Sequence, residues 1–429
     1  MTTAEQGRLA ANPAPSAHVL VLSGRRTVQT LKTAGYRVGL LSESIPFDLA
    51  VLADTPIQAG FSDWKAIIEQ VGRAHRISPF HAVVTQLEHL LPLAGQLRDH
   101  LGLPGGISEQ TARDCLDKPT TMRLLSAAGI PVAVFDVVAD AAAARQAASD
   151  LGLPVIVKPR DAASGAGLAL CHTPDQVADA VNQIRDDGRD TALIEEYLPG
   201  TEISLFAYRL AGHTEVLTCL RAKVGPPPKF VKLGADHPSG LDADILAQVS
   251  ELTDRALAAV GLDGWVATVQ MMLTADGPRV MEINPRVPGG QTVELVAATT
   301  GYEPTLAAAE VALGIRPTPG VARAAYAWYR CLTFEEAGHL SYRAEAEEQV
   351  PGLETGIPPL IELDVAPGEV VLPINHPRGG VFGRIVLCGT SPQQLNRDYA
   401  RILAALDLRL EPLLAAEGEA TWRPHSRCC

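Results

Sequence analysis

The sequence predicts a mixed α/β and α+β protein, with a small parallel α/β domain followed by an α+β body built on antiparallel strands. Three features carry that expectation. The first residues alternate as strand, helix and strand; helices and strands of differing period follow from Lys118; and two alternating strands flank a turn between Val266 and Asn284.

A chain of 429 residues exceeds what one hydrophobic core usually organises, and its 47% apolar content supplies material for two to four packed subdomains. The formal charge of −13 and pI near 5.3 argue against a broad phosphate-tracking surface. No nucleic acid is therefore expected as the main partner, although a local cationic pocket is compatible. No stretch reaches the roughly 18 uninterrupted apolar residues that a bilayer crossing needs. The start, MTTAEQGRLAANPAPSAH, lacks a basic region followed by an apolar one. A cytoplasmic protein without membrane association is expected, with residues 1–16 as a disordered tail. The seven cysteines show no Cys-x-x-Cys spacing, and Cys428 and Cys429 read as a tail with two thiols rather than a lipidated end.

HVLVLSG, TVQTLKTAG and YRVGLLSE give strand, helix and strand, with Gly35 as the helix stop. An apolar run from Ala82 to Thr85 and a helix ending near Gly102 complete this unit. A dinucleotide site would need a glycine fingerprint after the first strand; none is present, so a scaffold is expected. From Lys118 come the helix TTMRLLSAAG, the strand IPVAVFDVV, an alanine-rich helix and the strand LPVIVKP. In TPDQVADAVNQIRDDG, Thr173 is the N-cap, Pro174 opens the first turn, Val177, Val181 and Ile184 form an apolar stripe, and Gly188 stops the helix. A strand pair, TALIEEYL and EISLFAYRL, precedes an irregular proline-rich stretch from Gly225 to Gly240 and a helix from about Asp242 to Val260. Beyond Gly320 lie short strands, including VFGRIVLCG, and a helix begun by Ser391 and Pro392.

The most informative segment is WVATVQMMLTADGPRVMEINPRVPGG. A register symmetric about Asp276 sets Gln270 opposite Glu282 and Thr268 opposite Asn284, and opposed residues share a face with Cβ atoms about 4.5 to 5.5 Å apart. The other face carries Ala267, Val269, Met271, Leu273, Met281 and Ile283, an apolar surface for a core. Gln270, Glu282 and Asn284 thus offer three oxygen donors to one small volume, the chemistry that a hard cation such as magnesium takes. A carboxylate between two amide oxygens suits a pair of ions about 3.5 to 4 Å apart, as in phosphoryl chemistry. A solvent-facing strand would also alternate, but this polar face holds no lysine and runs into Pro285, Arg286 and the turn Pro288-Gly289-Gly290. That turn opens the helix QTVELVAATTG, and a glycine-rich helix entry is a site for anions.

EINPRVPGG, preceded by a strand with a metal ligand, resembles the signature of the ATP-grasp superfamily, and within it the L-amino-acid (dipeptide) ligases. The likeness extends over about residues 110 to 315. It implies the ATP-grasp fold: an N-terminal α/β domain at 17–115, a lid subdomain at 116–190, a central antiparallel-sheet subdomain at 191–319 and a C-terminal subdomain at 320–429. It also implies ATP and Mg2+, two ions, with Mn2+ as a substitute. Lys118 and Lys158 would reach the nucleotide phosphates; taken alone, either would be an ordinary surface cation. The run RDAASGAGL, with Ser164, Gly165 and Gly167, resembles the loop that closes over the β- and γ-phosphates.

In LIEEYLPGTE the resemblance assigns Glu195, Glu196, Tyr197 and Leu198 to the hinge that reads adenine through its backbone, and Glu202 to the ribose hydroxyls. Simple strand alternation would instead leave at least one of Glu195 and Glu196 in solvent. The chain departs from many amino-acid ligases in having Gln270 for glutamate and Thr268 for histidine. Glutamine is also familiar at that position in carbamoyl phosphate synthetases; it lowers the local negative charge and leaves open the affinity of the first metal and its choice between magnesium and manganese.

The implied reaction joins a carboxylate and an amine, with amino acids as the expected substrates, through an acyl phosphate. Lys158 and Arg286 would be catalytic, Arg286 steadying the transferred phosphoryl group or the tetrahedral intermediate. Arg286, Gly289, Gly290, Lys232, His237 and Arg378 are the candidates for binding substrate, with Lys223 and Lys229 in the same proline-rich stretch as Lys232. Two other activities fit the resemblance: an ATP-dependent carboxylase or carbamoyl-phosphate enzyme, and a non-catalytic ATP-binding partner protein. A homodimer is left open.

Overall fold

The computed structural model describes residues 17–160, 167–227, 230–345, 350–376 and 379–413. Four parallel strands come first: β1 (His18–Leu22), β2 (Arg37–Ser42), β3 (Thr55–Gln58) and β4 (Ala82–Val84), ordered β3-β2-β1-β4. Helices α1 (Arg25–Thr33), α2 (Phe47–Leu52), α3 (Trp64–Ile77) and α4 (Leu91–His100) connect and follow them. β1 is buried at every position, the mark of a strand covered on both faces. β3 escapes the sequence pattern because it is an edge strand with one buried side chain, Ile57.

Helices α5 (Glu109–Leu116) and α6 (Lys118–Ala127) lead into a second sheet. It contains β5 (Phe135–Val138), then after α7 (Ala141–Leu151) β6 (Val155–Pro159) and β7 (Ala169–Cys171), and after α8 (Pro174–Asp186) β8 (Ala192–Glu196). The order is β5-β8-β6-β7. The cap of α8 forms as expected, Thr173 Oγ1 accepting from the Gln176 amide at 3.3 Å, with Val177, Val181 and Ile184 buried.

An eight-stranded sheet follows. It is built from β9 (Thr201–Leu210), β10 (His213–Val224), β11 (Lys232–His237) and, after α9 (Ala243–Ala259), β12 (Trp265–Thr274) and β13 (Gly277–Asn284). After α10 (Thr292–Thr300) and α11 (Pro304–Ala312), the strands β14 (Tyr326–Leu332), β16 (Leu360–Leu363) and β18 (Gly383–Gly389) extend it. The order is β13-β12-β9-β10-β11-β14-β18-β16, so strands from beyond residue 319 continue the same sheet. A small sheet of β15 (Gly338–Ser341), β17 (Val370–Val371) and β19 (Arg409–Pro412) lies beside it, and α12 (Pro392–Leu406) packs on β18. Among the described residues no helix is long and apolar enough to cross a membrane.

Two sequence expectations are corrected here. TALIEEYL and EISLFAYRL are not a pair: β8 lies inside the second sheet and β9 inside the eight-stranded one, with the Tyr197–Gly200 link passing between them. The stretch from Gly225 to Gly240 is not wholly irregular, because Lys232–His237 pairs with β10 on one side and β14 on the other. Backbone pairing on both edges outweighs the weak strand signal of KLGADH.

Candidate active site

The β12–β13 hairpin sets Gln270 opposite Glu282 and Thr268 opposite Asn284, as its alternation predicts. The route to that register differs from a turn symmetric about Asp276. Thr274 pairs with Gly277, so Ala275 and Asp276 form a two-residue turn, and this register alone would set Gln270 against Met281. A β-bulge between Gln270 and Met271 absorbs one residue and restores Glu282 to the polar face. Met281 is consequently half-buried, and Val280 takes the core position expected of it.

On its other edge β12 pairs with β9, Gln270 opposite Ser204 and Met272 opposite Glu202. Glu282, Gln270 and Ser204 form one row across three strands, and Glu202 stands one step along the same face. The opposite face, with Val269, Met271, Ile203 and Leu205 buried, belongs to the main core.

Helix α6 and the second sheet each bring a cation to this polar face. Lys118, the first residue of α6, places its Nζ 3.3 Å from Glu282 Oε1, and Lys158 of β6 places its Nζ 2.7 Å from Glu195 Oε1. Burial by itself raises the Glu282 carboxyl; Lys118 and Lys158, with Asn284 as a hydrogen-bond donor, outweigh it and hold the group below the usual carboxylate range. Asp117 caps α6, accepting from the Thr120 amide at 3.2 Å, and is ion-paired with Arg160. The start of the Lys118 helix is thereby tied to the end of the Lys158 strand.

Both glutamates of the hinge are engaged, so neither points freely to solvent. Glu195 is buried against Lys158, and Glu196 Oε1 accepts from Arg279 Nη1 at 2.7 Å and from the Val134 amide at 3.1 Å. The Glu196 and Tyr197 amides already donate to the Val134 and Pro154 carbonyls. Glu202 lies 3.3 Å from Lys232, which pairs that lysine with the carboxylate that the resemblance assigns to the ribose hydroxyls. His237 is reached across β10 in the row that contains Ser204. Burial drops its pKa to about 4, so it is a neutral imidazole. Ser164, Gly165, Lys229 and Arg378 lie outside the described residues. Gly167 is described, with φ +72°.

Arg286 is held from several sides. Trp265 Nε1 donates to the Pro285 carbonyl at 2.7 Å and the Thr268 hydroxyl to the Arg286 carbonyl at 3.1 Å, stapling the chain after β13 back onto β12. The guanidinium donates through Nε to Glu88 Oε1 at 2.7 Å and through Nη1 to the Val287 carbonyl at 3.0 Å. Gly289 and Gly290 are exposed, and a Cβ on Gly289 would sit 3.6 Å from Arg286 Nη1. The N-terminus of α10 carries Glu294 in its first turn, ion-paired with Arg26, and its Thr292 amide donates to the Gly289 carbonyl at 3.3 Å, so an anion there would meet a carboxylate.

Glu88 and its neighbour Gln86, whose Oε1 accepts from the Val287 amide at 3.3 Å, are site residues that motif reasoning missed. They follow the carboxyl end of β4, the position at which parallel α/β sheets present their binding loops, and that placement is the signal that would have found them. Thr85 fixes the loop, its hydroxyl donating to the Leu22 carbonyl at 2.9 Å and accepting from the Leu87 amide at 3.1 Å.

A family model described as the ATP-grasp domain matches residues 123–300. The chain carries an ATP-grasp domain and has the ATP-grasp fold. The D-alanine–D-alanine ligase of Gloeobacter violaceus is 27% identical to it over 284 residues, 64% of this chain and 87% of that protein. The L-amino acid ligase from Bacillus licheniformis superposes with a TM-score of 0.72 at 19% identity, covering 93% of this chain and 99% of that one. The biotin carboxylase domain of the Hydrogenobacter thermophilus 2-oxoglutarate carboxylase, solved with MgADP, ADP and bicarbonate, gives a TM-score of 0.66 at 16% identity, covering 91% and 90%. The ATP-grasp match begins within α6, after Lys118, and runs through α10, and so includes Lys158, Glu202, Gln270, Glu282, Asn284 and Arg286.

Proposed function

We propose that this chain is an ADP-forming ligase that activates a carboxylate with ATP and joins it to an amine, most plainly between two amino acids. The observation that supports this best is the meeting of Lys118 and Lys158 with Glu282 on the face that carries Gln270 and Asn284. Paired cations and a carboxylate flanked by amide oxygens are what a nucleotide triphosphate and its divalent ions require.

The donor set fits magnesium, since one carboxylate and two amide oxygens are hard ligands. Gln270, Glu282 and Asn284 would hold one or two ions, and bound Mg2+, or Mn2+ in its place, would offset charge on the transferring phosphoryl group. The adenine edge would lie at the Glu196–Leu198 hinge. With the Glu196 and Tyr197 amides already used, the Leu198 amide is the group among these described residues left to donate to the base. Glu202 would take the ribose hydroxyls, and Lys232 beside it serves the nucleotide end.

In the first step a carboxylate oxygen of the donor attacks the γ-phosphorus and ADP leaves; Lys118 and Lys158 neutralise the charge on the bridging and terminal oxygens. In the second step the acceptor nitrogen attacks the acyl carbon, phosphate leaves, and the nitrogen loses a proton. Arg286, preset by Glu88 and the Val287 carbonyl, would donate to the oxyanion of the tetrahedral intermediate. Neutral His237 can orient a substrate by a hydrogen bond.

Phosphate release, measured over pairs of amino acids with mass spectrometry of the product, tests the proposal. Release that requires both an amino-acid donor and an acceptor, with an amide product, supports it. Release that requires bicarbonate instead selects the carboxylase reading, and ATP binding without turnover selects a partner protein.

A further inference from the structure

The site contains a buried hydroxyl that the reaction just described does not use. Ser204 is 7% exposed, and its Oγ has no hydrogen-bond partner among the described residues. Buried polar atoms are nearly always satisfied, so an orphan of this kind marks a contact completed only when something else binds. Ser204 lies directly opposite Gln270 on β9, and Glu282 lies directly opposite Gln270 on β13. Gln270 therefore has the hydroxyl on one side and the carboxylate on the other, each with its Cβ about 4.5 to 5.5 Å away.

A glutamine differs from a glutamate as a metal ligand in one respect that matters here. Its two ends are chemically unlike: Oε1 can coordinate a cation, whereas the Nε2 amide is a donor that cannot. With Glu282 alone beside it, the donor end would turn toward the carboxylate, which points the amide away from the productive orientation. An acceptor on the far side reverses that preference. We propose that Ser204 is a positioning residue, whose hydroxyl accepts from Gln270 Nε2 when a divalent ion binds and thereby holds Oε1 toward the ion shared with Glu282. The inference rests on the metal reading of the hairpin. It also explains how glutamine at this place remains competent: the neighbouring strand supplies the orientation that the two equivalent oxygens of a carboxylate do not need. Contacts of this kind behind a ligand typically alter metal affinity by about 10- to 100-fold, and an exchangeable amide orientation sets the lower end of that range.

The test is a double-mutant cycle read by Mn2+ binding in the presence of saturating ADP, followed by electron paramagnetic resonance. Ser204→Ala is expected to weaken Mn2+ binding about tenfold in the natural Gln270 background and by less than about twofold in the Gln270→Glu background, because a carboxylate has no wrong end. ADP affinity measured with all divalent ions chelated is expected to be the same with and without Ser204→Ala, a result that a general loosening of β9 would not give. Equal weakening in both backgrounds, or no weakening in the Gln270 background, overturns the role of Ser204. Loss of Mn2+ binding on Gln270→Glu alone contradicts coordination through Oε1, which a carboxylate oxygen would retain, and overturns it as well. Failure of the unmutated protein to bind Mn2+ with ADP is a different failure, since it removes the metal reading itself and this inference with it.

Discussion

Replacing Glu282 by glutamine separates the two roles proposed for the same carboxylate, counter-ion of Lys118 and metal ligand. Glu282 is the counter-ion of Lys118 at 3.3 Å, with the two side chains 28% and 15% exposed. At that distance the bare Coulomb attraction is about 5 kcal/mol for an effective dielectric of about 20. Desolvation and side-chain ordering offset most of it, leaving a net contribution of about 1 kcal/mol for a pair of this exposure. A phosphate that recruits Lys118 must break this contact. Glu282→Gln is therefore expected to tighten ADP binding about fivefold when divalent ions are chelated, the equivalent of about 1 kcal/mol. With magnesium present the sign reverses: the unmutated protein gains affinity from the metal, the variant does not, and turnover is lost. Isothermal titration of ADP into both proteins, with EDTA and then with magnesium, measures the two effects separately. Weaker ADP binding by the variant under chelation, or an undiminished response to magnesium, would refute the assignment of Glu282 to both tasks.

Two other outcomes follow from the geometry. Glu88→Gln removes the charged partner of Arg286 but keeps a side chain of similar shape, and a charge-assisted hydrogen bond is typically worth about 1.5 to 3 kcal/mol. Turnover should fall on the order of tenfold with little change in ADP affinity, because Glu88 lies against Arg286 rather than against Lys118 or Lys158. Steady-state kinetics beside ADP titration distinguishes this from a general loss of structure. His18 is fully buried, and burial, with Arg37 nearby, lowers its pKa to about 4. An unfolded chain would bind a proton there near pH 6.5 while the folded chain does not, so stability is complete above about pH 6.5 and is lost as the pH falls toward 4, to at most about 3 kcal/mol. Hydrogen exchange of the β1 and β4 amides should show this loss in the unmutated protein and less of it in His18→Gln; an identical pH dependence in the two would exclude His18 as its source.

Much of the site was legible because it is local. A hairpin with a clean polar face puts Gln270, Glu282 and Asn284 together within fifteen residues, and alternation alone reports which side chains share that face. The bulge was not legible, since a two-residue turn and a symmetric turn read alike in TADGPR, and only the β12–β13 ladder itself shows where the extra residue is absorbed. The irregular reading of Gly225–Gly240 erred for a related reason. A strand with neighbours on both edges is held by backbone hydrogen bonds that composition does not record.

What the sequence by itself determined was the opening strand, helix and strand of the N-terminal unit, the Thr173 cap of α8, and the residue types able to meet phosphate and metal. The tertiary structure decided which of them meet. Lys118 reaches Glu282 across 164 positions of chain, Arg286 reaches Glu88 across 198, and Ser204 stands beside Gln270 only because β9 is the strand that pairs with β12. Spacing along a chain constrains neighbours within a helix or hairpin; contacts between separate sheets depend on how whole apolar faces pack, and that is a property of the assembled core.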